Sequence, residues 1–423
     1  MKRFKTLLLA LFMAAPAMAQ SITAQQVVEG RSNSPEQMEK PYVIMVSADG
    51  FRYDYAEKYR AKHLKAFAAE GVQAESMVPS FPSKTFPNHY TLVTGMYPVS
   101  HGLVGNSFYD PKRNDTFYIN DRKKVTDASW YGGVPLWVLA EQQQLLSASF
   151  YWVGSEAPIL DTYPTYWYRY NEDVKFKKRV QAVVDWLQLP EEKRPHLITF
   201  YMPEVDHAGH TFGPESPETS SEVRRLDKRM KQLTDAVAKT GLPVNYIFVS
   251  DHGMTQIDQQ STILLPPFIN ENDFKIVSGG TMTELHATNA AAILPLYQKL
   301  KSNPSQYYDA YLKDEMPAHL NYSGKQDRYN RVGDIVLVAK APKLFASSSG
   351  RMPAPGNHGF DPIAVKDMHA TFIAWGPNFK EGLKVGTFSN VQVYAIVAKL
   401  LGLPYSHQID GDDTVAEQVL KAE

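Results

Sequence analysis

The chain has 423 residues, no cysteine, 43% hydrophobic residues and a net charge of -1. Length and apolar content are enough for a large buried core without disulfides, which the composition excludes. Removing the amino-terminal cations Lys2, Arg3 and Lys5 takes the charge to -4, so no basic groove for nucleic acid is indicated.

Met1 to Ala19 reads as a cleaved signal peptide, with those three cations, an apolar run from Leu7 to Ala15 and the triplet Ala17-Met18-Ala19. The apolar run is shorter than the ~20 residues a membrane-spanning helix needs, and no later stretch qualifies. A mature chain from about Gln20 is therefore expected in the periplasm or outside the cell. Residues 20–40 are polar and lack periodicity, which places the expected start of the fold near Pro41.

Tyr42 to Ser47 is a short apolar run of the kind that forms a buried parallel strand, and similar runs follow at His196 to Tyr201, Val244 to Ser250 and Ala370 to Trp375. Helix-like stretches at Val174 to Leu187 and Ser220 to Lys239 lie between them. The alternation predicts a mainly parallel sheet flanked by helices. From about Asp258 to Pro355 the chain is richer in Pro, Asn, Ser and Tyr, with strand candidates at Phe274 to Ser278 and Asp334 to Ala339. This stretch is expected to form a smaller inserted lobe.

In open α/β sheets, sites gather at the carboxyl ends of strands. Asp49, Asp206 and Asp251-His252 follow three of the apolar runs, and His358 precedes Gly359 where the main domain resumes. Asp206 and His210 stand four apart, a spacing that aims both at one point from a single helical turn, whereas His207 has the wrong offset. Carboxylate with imidazole suits zinc. A single Asp-Gly pair is ordinarily a turn, but six Asp and His at strand ends point to a metal centre. Spacing alone does not sort them into sites.

Lys84-Thr85-Phe86-Pro87-Asn88 through Gly95 predicts a helix with Pro87 in its first turn and Gly95 as its stop. Thr85 then lies at or next to the N-cap, where its hydroxyl either caps the helix or serves as a nucleophile beside free N–H groups.

These motifs, with Gly95-Met96-Tyr97-Pro98, His101-Gly102, Gly105-Asn106, Tyr151-Trp152-Val153-Gly154-Ser155, Tyr170-Asn171 and Ser250-Asp251-His252-Gly253, resemble the nucleotide pyrophosphatase/phosphodiesterase family of the alkaline phosphatase superfamily. The likeness runs over Pro41 to Met254 and from Gly356 to the end. It implies an alkaline phosphatase-like α/β fold, one zinc ion held by Asp206, His210 and His358, and a second by Asp49, Asp251 and His252 with Thr85. It also implies that Thr85 forms a covalent intermediate, that Asn106 donates to a phosphate oxygen, and that Phe86, Tyr170 and Tyr201 wall a nucleobase slot. Aromatic side chains suit that slot because every base has a π-face. The sequence departs from the more acidic animal version at Met202-Pro203-Glu204-Val205, ahead of Asp206.

The absence of cysteine and of a sulfatase motif argues against sulfate esters, and Trp152 to Ser155 offers no base against the extra charge of a monoester. The expected function is hydrolysis of nucleotide phosphodiester or pyrophosphate bonds, on a small nucleotide or dinucleotide substrate. A phospholipid or choline phosphodiesterase on the same two-metal core, or a non-catalytic metal-dependent nucleotide-binding protein, is the alternative. The expected organisation is a signal peptide at 1–19, a polar segment at 20–40, a catalytic core at 41–258 and 356–423, and the inserted lobe at 259–355.

Overall fold

The first apolar run forms the strand Tyr42–Ala48, every residue of which is buried. Successive side chains of a strand point to opposite faces, and here the two faces build two cores. Val43 and Met45 pack with the helices Thr85–Thr94, Leu136–Gln142 and Val393–Leu400. Ile44 and Val46 pack with Lys62–Glu70, Phe176–Leu187 and Pro217–Ala238. Burying a side chain such as Ile44 contributes about 1.5–3 kcal/mol, so a run apolar on both faces is stable only between two helical layers.

The structure, a computed structural model, describes residues 24–346, 350 and 352–422. The expected signal peptide lies outside the described residues. The main sheet has nine strands in the spatial order Gln25–Val27, Tyr166–Tyr168, Ser147–Phe150, Leu197–Met202, Tyr42–Ala48, Val244–Val249, Phe372–Trp375, Val72–Ala74 and Leu383–Val385. Tyr42–Ala48 is parallel to both its neighbours, pairing Ile44 with Ile198 and with Tyr246. The sheet is mainly parallel and helix-flanked, as the alternation of runs predicts. Gln25–Val27 and Phe372–Trp375 run against the rest.

Two expectations need correction. The fold does not begin near Pro41, because Gln25–Val27 is the edge strand of the main sheet and Asn33 is buried, donating to the carbonyls of Glu191 (2.9 Å) and Arg194 (2.7 Å). A three-residue polar edge strand carries no hydrophobic periodicity, so it is invisible to pattern. The run ending at Trp375 is a strand but antiparallel, since a strand buried on both faces reads the same in either direction.

Helix Pro217–Ala238 shows why these helices form. Ser216 accepts from the Thr219 N–H at 3.1 Å, Pro217 opens the first turn, and Val223, Leu226, Met230, Leu233 and Val237 make a buried stripe at helical spacing. Between Asp258 and Gly356 a second, antiparallel sheet forms from Phe274–Ser278, Met282–Ala287, Ile335–Ala339 and Tyr308–Leu312. It packs with helix Ile293–Ser302 around a small core of its own that includes Leu285, Leu296, Leu300 and Leu337. No helix among the described residues is long and apolar enough to cross a membrane.

Candidate metal and phosphate site

The side chains singled out in the sequence meet at the carboxyl ends of the central parallel strands. Asp49 follows Tyr42–Ala48, Asp251 and His252 follow Val244–Val249, and Asp206 and His210 lie on helix Glu204–Phe212, which follows Leu197–Met202. Two glycines permit the close approach. Gly50 has φ +67° and would place a Cβ 3.0 Å from the Asp206 Cα; a Cβ on Gly356 would fall 2.1 Å from the Gly209 carbonyl oxygen. The first brings the Asp49 turn against the helix, and the second brings His358 to His210.

Asp206, His210 and His358 offer ligand atoms within 4.8 Å of one another, and so do Asp49, Asp206 and His252. His252 Nε2 also lies 2.9 Å from Asp251 Oδ2 and 3.5 Å from Asp49 Oδ1. Each of the three histidines engages a backbone carbonyl through Nδ1: His210 with Gly356 (2.9 Å), His252 with Gly253 (2.9 Å) and His358 with Ser83 (2.7 Å). Nδ1–H is then the donor, and Nε2 turns a lone pair toward the cluster, the arrangement that orients metal-binding imidazoles.

Three observations test whether this cluster suits cations. Asp49 Oδ1, Asp206 Oδ1 and Asp251 Oδ2 are buried without hydrogen-bond partners. The His210 and His358 Nε2 atoms face each other at 3.1 Å, and the rings of His252 and His358 stack at 3.5 Å. Burial, then the charges of Asp251 and Asp206, push the Asp49 carboxyl well above its ordinary range. Orphaned carboxylate oxygens and opposed imidazole lone pairs are costly unless positive charge lies between them. The donor set fits divalent metal ions of the zinc type.

Thr85 is the first residue of helix Thr85–Thr94, its Oγ1 is 3.4 Å from His252 Nε2, and it makes no capping bond. The turn before it is braced by Asn88, whose Nδ2 donates to the carbonyls of Pro82 and Lys84, both at 2.9 Å. The helix start has fewer free donors than expected: the Phe86 N–H is taken by Asn106 Oδ1 at 2.9 Å, and Pro87 has none. That bond fixes the Asn106 amide and leaves its NH2 as the available donor. Lys84 is half-buried with its ammonium turned inward, and that desolvation pushes the ammonium down to about 8 against the pull of Asp206; it donates to the His358 carbonyl at 2.7 Å.

A cavity of about 290 Å³ opens beside Thr85, lined by Phe86, Tyr170 and Tyr201, and also by Tyr151, Trp152 and Ile119. Tyr201 does more than line it, since its hydroxyl donates to Asp49 Oδ2 at 2.6 Å. His207, set aside on spacing, reaches the rim of the cavity, 3.5 Å from Glu172.

Sequence reasoning missed His89. It is fully buried, with Nδ1 3.0 Å from the Thr85 carbonyl and 3.2 Å from Asp251 Oδ2, and Nε2 2.8 Å from Ser47 Oγ. Its place four residues after Thr85 is the one signal that could have found it, because that spacing returns the ring to the start of the helix. With its nitrogens engaged by the Thr85 carbonyl and Ser47 Oγ, it braces the start of the Thr85 helix and lies against Asp251.

A family model for type I phosphodiesterase / nucleotide pyrophosphatase matches residues 43–361. Ectonucleotide pyrophosphatase/phosphodiesterase family member 1 of Mus musculus is 35% identical over 381 residues, covering 87% of this chain and 42% of its own length. Venom phosphodiesterase of Naja atra is 34% identical over 397 residues, covering 90% and 46%. The chain thus spans less than half the length of these curated relatives. Among solved structures, murine ectonucleotide pyrophosphatase / phosphodiesterase 5 superposes with a TM-score of 0.82 at 30% identity, covering 90% of this chain and 100% of that one. An inactive Thr-to-Ala form of that murine protein, in complex with AMP, gives a TM-score of 0.83 at 29% identity with the same coverage.

Proposed function

The chain belongs to the type I phosphodiesterase / nucleotide pyrophosphatase family, and on that premise we propose that it is an exported zinc-dependent hydrolase of nucleotide phosphodiester or pyrophosphate bonds, releasing nucleoside monophosphates. The observation that carries this reading is the placement of Thr85 Oγ1 between an Asp/His cluster with orphaned oxygens and an aromatic-walled cavity. The complex of the murine relative with AMP supports a nucleotide in that cavity. The leader from Met1 to Ala19 supports export.

In this reading Asp206, His210 and His358 hold one zinc ion, and Asp49, Asp251 and His252 hold the other together with Thr85. Bound there, the ions supply Lewis acidity that favours the threonine alkoxide and offsets charge on the leaving oxygen. The Thr85 oxygen gives its proton to solvent and attacks phosphorus; the new Oγ1–P bond forms as the bond to the leaving oxygen breaks, and the departing oxygen leaves as an anion that solvent can protonate. Water then attacks the same phosphorus, giving up a proton as the Oγ1–P bond breaks and Oγ1 takes one back, so two inversions give net retention. The Asn106 NH2 donates to a non-bridging oxygen whose charge grows in the transition state. Tyr201 and His89 hold Asp49, Asp251 and Thr85 in place, while Phe86, Tyr170 and Tyr201 flank the base.

The test is hydrolysis of a chiral phosphorothioate nucleotide diester by purified, metal-analysed protein. Retention, close to two zinc ions per chain, and a loss on the order of 10⁴ in kcat for Thr85→Ala are expected. Inversion would remove the covalent route, one metal or none would remove the paired site, and a choline phosphodiester hydrolysed faster than every nucleotide would remove the base slot.

A further inference from the structure

Asn106 lies within Gly102 to Asp110, a segment that leaves helix Pro98–His101 and enters the strand Ser107–Asp110. Its side chain accepts from the Phe86 N–H at 2.9 Å and its carbonyl accepts from the Ile119 N–H at 3.1 Å. The rest of the segment is held from a distant part of the chain, the loop joining the strands Tyr308–Leu312 and Ile335–Ala339 of the second sheet. Arg331 Nη1 donates to the carbonyls of Gly102 (2.7 Å) and Trp130 (2.8 Å), while Nε donates to Asp110 Oδ2 (3.0 Å). Tyr322 Oη donates to the Val104 carbonyl at 2.9 Å. One loop therefore grips the segment on both sides of Asn106, at Gly102 and Val104 before it and at Asp110 after it.

Packing alone does not account for these groups. Arg331 is 1% exposed and Tyr322 0%, and a buried guanidinium is destabilising unless its donors are used. Its loop is built to present it: Asp327 accepts from the N–H groups of Tyr329 (3.0 Å), Arg331 (2.5 Å) and Val332 (2.7 Å). Tyr322 has one proton and two neighbours, Val104 O and, at 3.2 Å, Glu284 Oε1. Burial pushes Glu284 up to about 8. Burial thus favours its protonated form, in which it can donate to the phenol oxygen and leave the Tyr322 proton for Val104.

We propose that Arg331 and Tyr322 are positioning residues for the reaction, holding the Gly102–Asp110 segment so that the Asn106 NH2 meets the charge that develops on phosphate. The inference rests on the role given to Asn106 under the proposed function. A donor aimed at a transition state loses most of its effect when displaced by a fraction of its bond length, so distant groups that set its backbone act on kcat.

The experiment is a double-mutant cycle on hydrolysis of a nucleotide diester. Tyr322→Phe removes one oxygen and keeps the ring, so it retains the packing even if the companion variant Arg331→Lys fails to fold. Tyr322→Phe is expected to lower kcat by roughly 3- to 10-fold with KM changed by less than about twofold, and to cause no further loss in Asn106→Ala. An equal loss in the wild-type and Asn106→Ala backgrounds overturns the inference, as does a Tyr322→Phe variant whose kcat is unchanged. If Asn106→Ala itself turns over at the wild-type rate, the phosphate role of Asn106 has failed, and the inference falls with it by a separate readout.

Discussion

Two fully buried acids behave in opposite ways. Burial would raise Asp251, but the His252 and His89 imidazoles, at 2.9 Å and 3.2 Å, outweigh it and hold the carboxyl well below its ordinary range. Burial raises Glu284 to about 8, because it has only the Gly333 N–H and the Tyr322 hydroxyl for company. Low dielectric always favours the neutral acid. The company of each carboxyl decides the outcome: the His252 and His89 rings lie against Asp251, whereas only the Gly333 N–H, the Tyr322 hydroxyl and the Asp327 carboxylate act on Glu284. Asp251 is held toward its ionised form, whereas Glu284 is pushed toward its protonated form.

The contrast breaks most visibly at Asp206, the acid common to two of the ligand groups. Asp206→Asn should lower bound metal from about two ions toward one and reduce kcat/KM by a factor on the order of 10³. In chelator-treated protein the same change should raise Tm, because it removes a like charge facing Asp49. A lower Tm in the metal-free state would show that repulsion is not what the cluster stores.

Next in size is the cavity, where the charge argument gives way to stacking. Phe86→Ala or Tyr201→Ala should lower kcat/KM for a nucleotidyl diester by about tenfold or more, and for a small diester lacking a base by much less. Tyr201→Ala should cost the small diester more than Phe86→Ala does, since only Tyr201 also holds Asp49. Equal losses on both substrates in both variants would remove the base slot.

The smallest expected effect concerns stability at Glu284. Its folded pKa lies above the unfolded value, so the folded state binds the extra proton between about pH 5 and 8, and stability falls as pH rises through that window. Glu284→Gln should make the pH dependence of unfolding free energy shallower by about 1 kcal/mol per pH unit there, as read by urea denaturation across a pH series. An unchanged slope would place an unrecognised positive charge beside Glu284.

The same contrast separates what could be read in advance from what could not. Asp49, Asp251 and His252 were legible because each directly follows an apolar run, and a strand's carboxyl end is where an α/β sheet exposes backbone and builds sites. Thr85 was legible because Pro87 and Gly95 bracket its helix. Tyr322 and Arg331 carry no such mark, since their partners Val104, Gly102 and Asp110 come from a remote part of the chain, and neither does Glu284, whose partners Gly333 and Tyr322 lie 49 and 38 positions away. His89 stood in full view beside Thr85, but its role depends on Asp251.

By itself, then, the sequence determined the elements and the chemistry at their ends: which runs are buried strands, which acids and histidines follow them, and which hydroxyl opens a helix. These are local properties, set by side-chain period and by the turn residues next to each run. Only the tertiary structure decided that Phe372–Trp375 runs antiparallel, that Gln25–Val27 closes the sheet edge, and that Arg331 and Tyr322 reach across to the Asn106 segment. Strand direction, edge pairing and the partners of buried polar groups are settled by contacts between remote segments, because each must be satisfied at once when the chain packs.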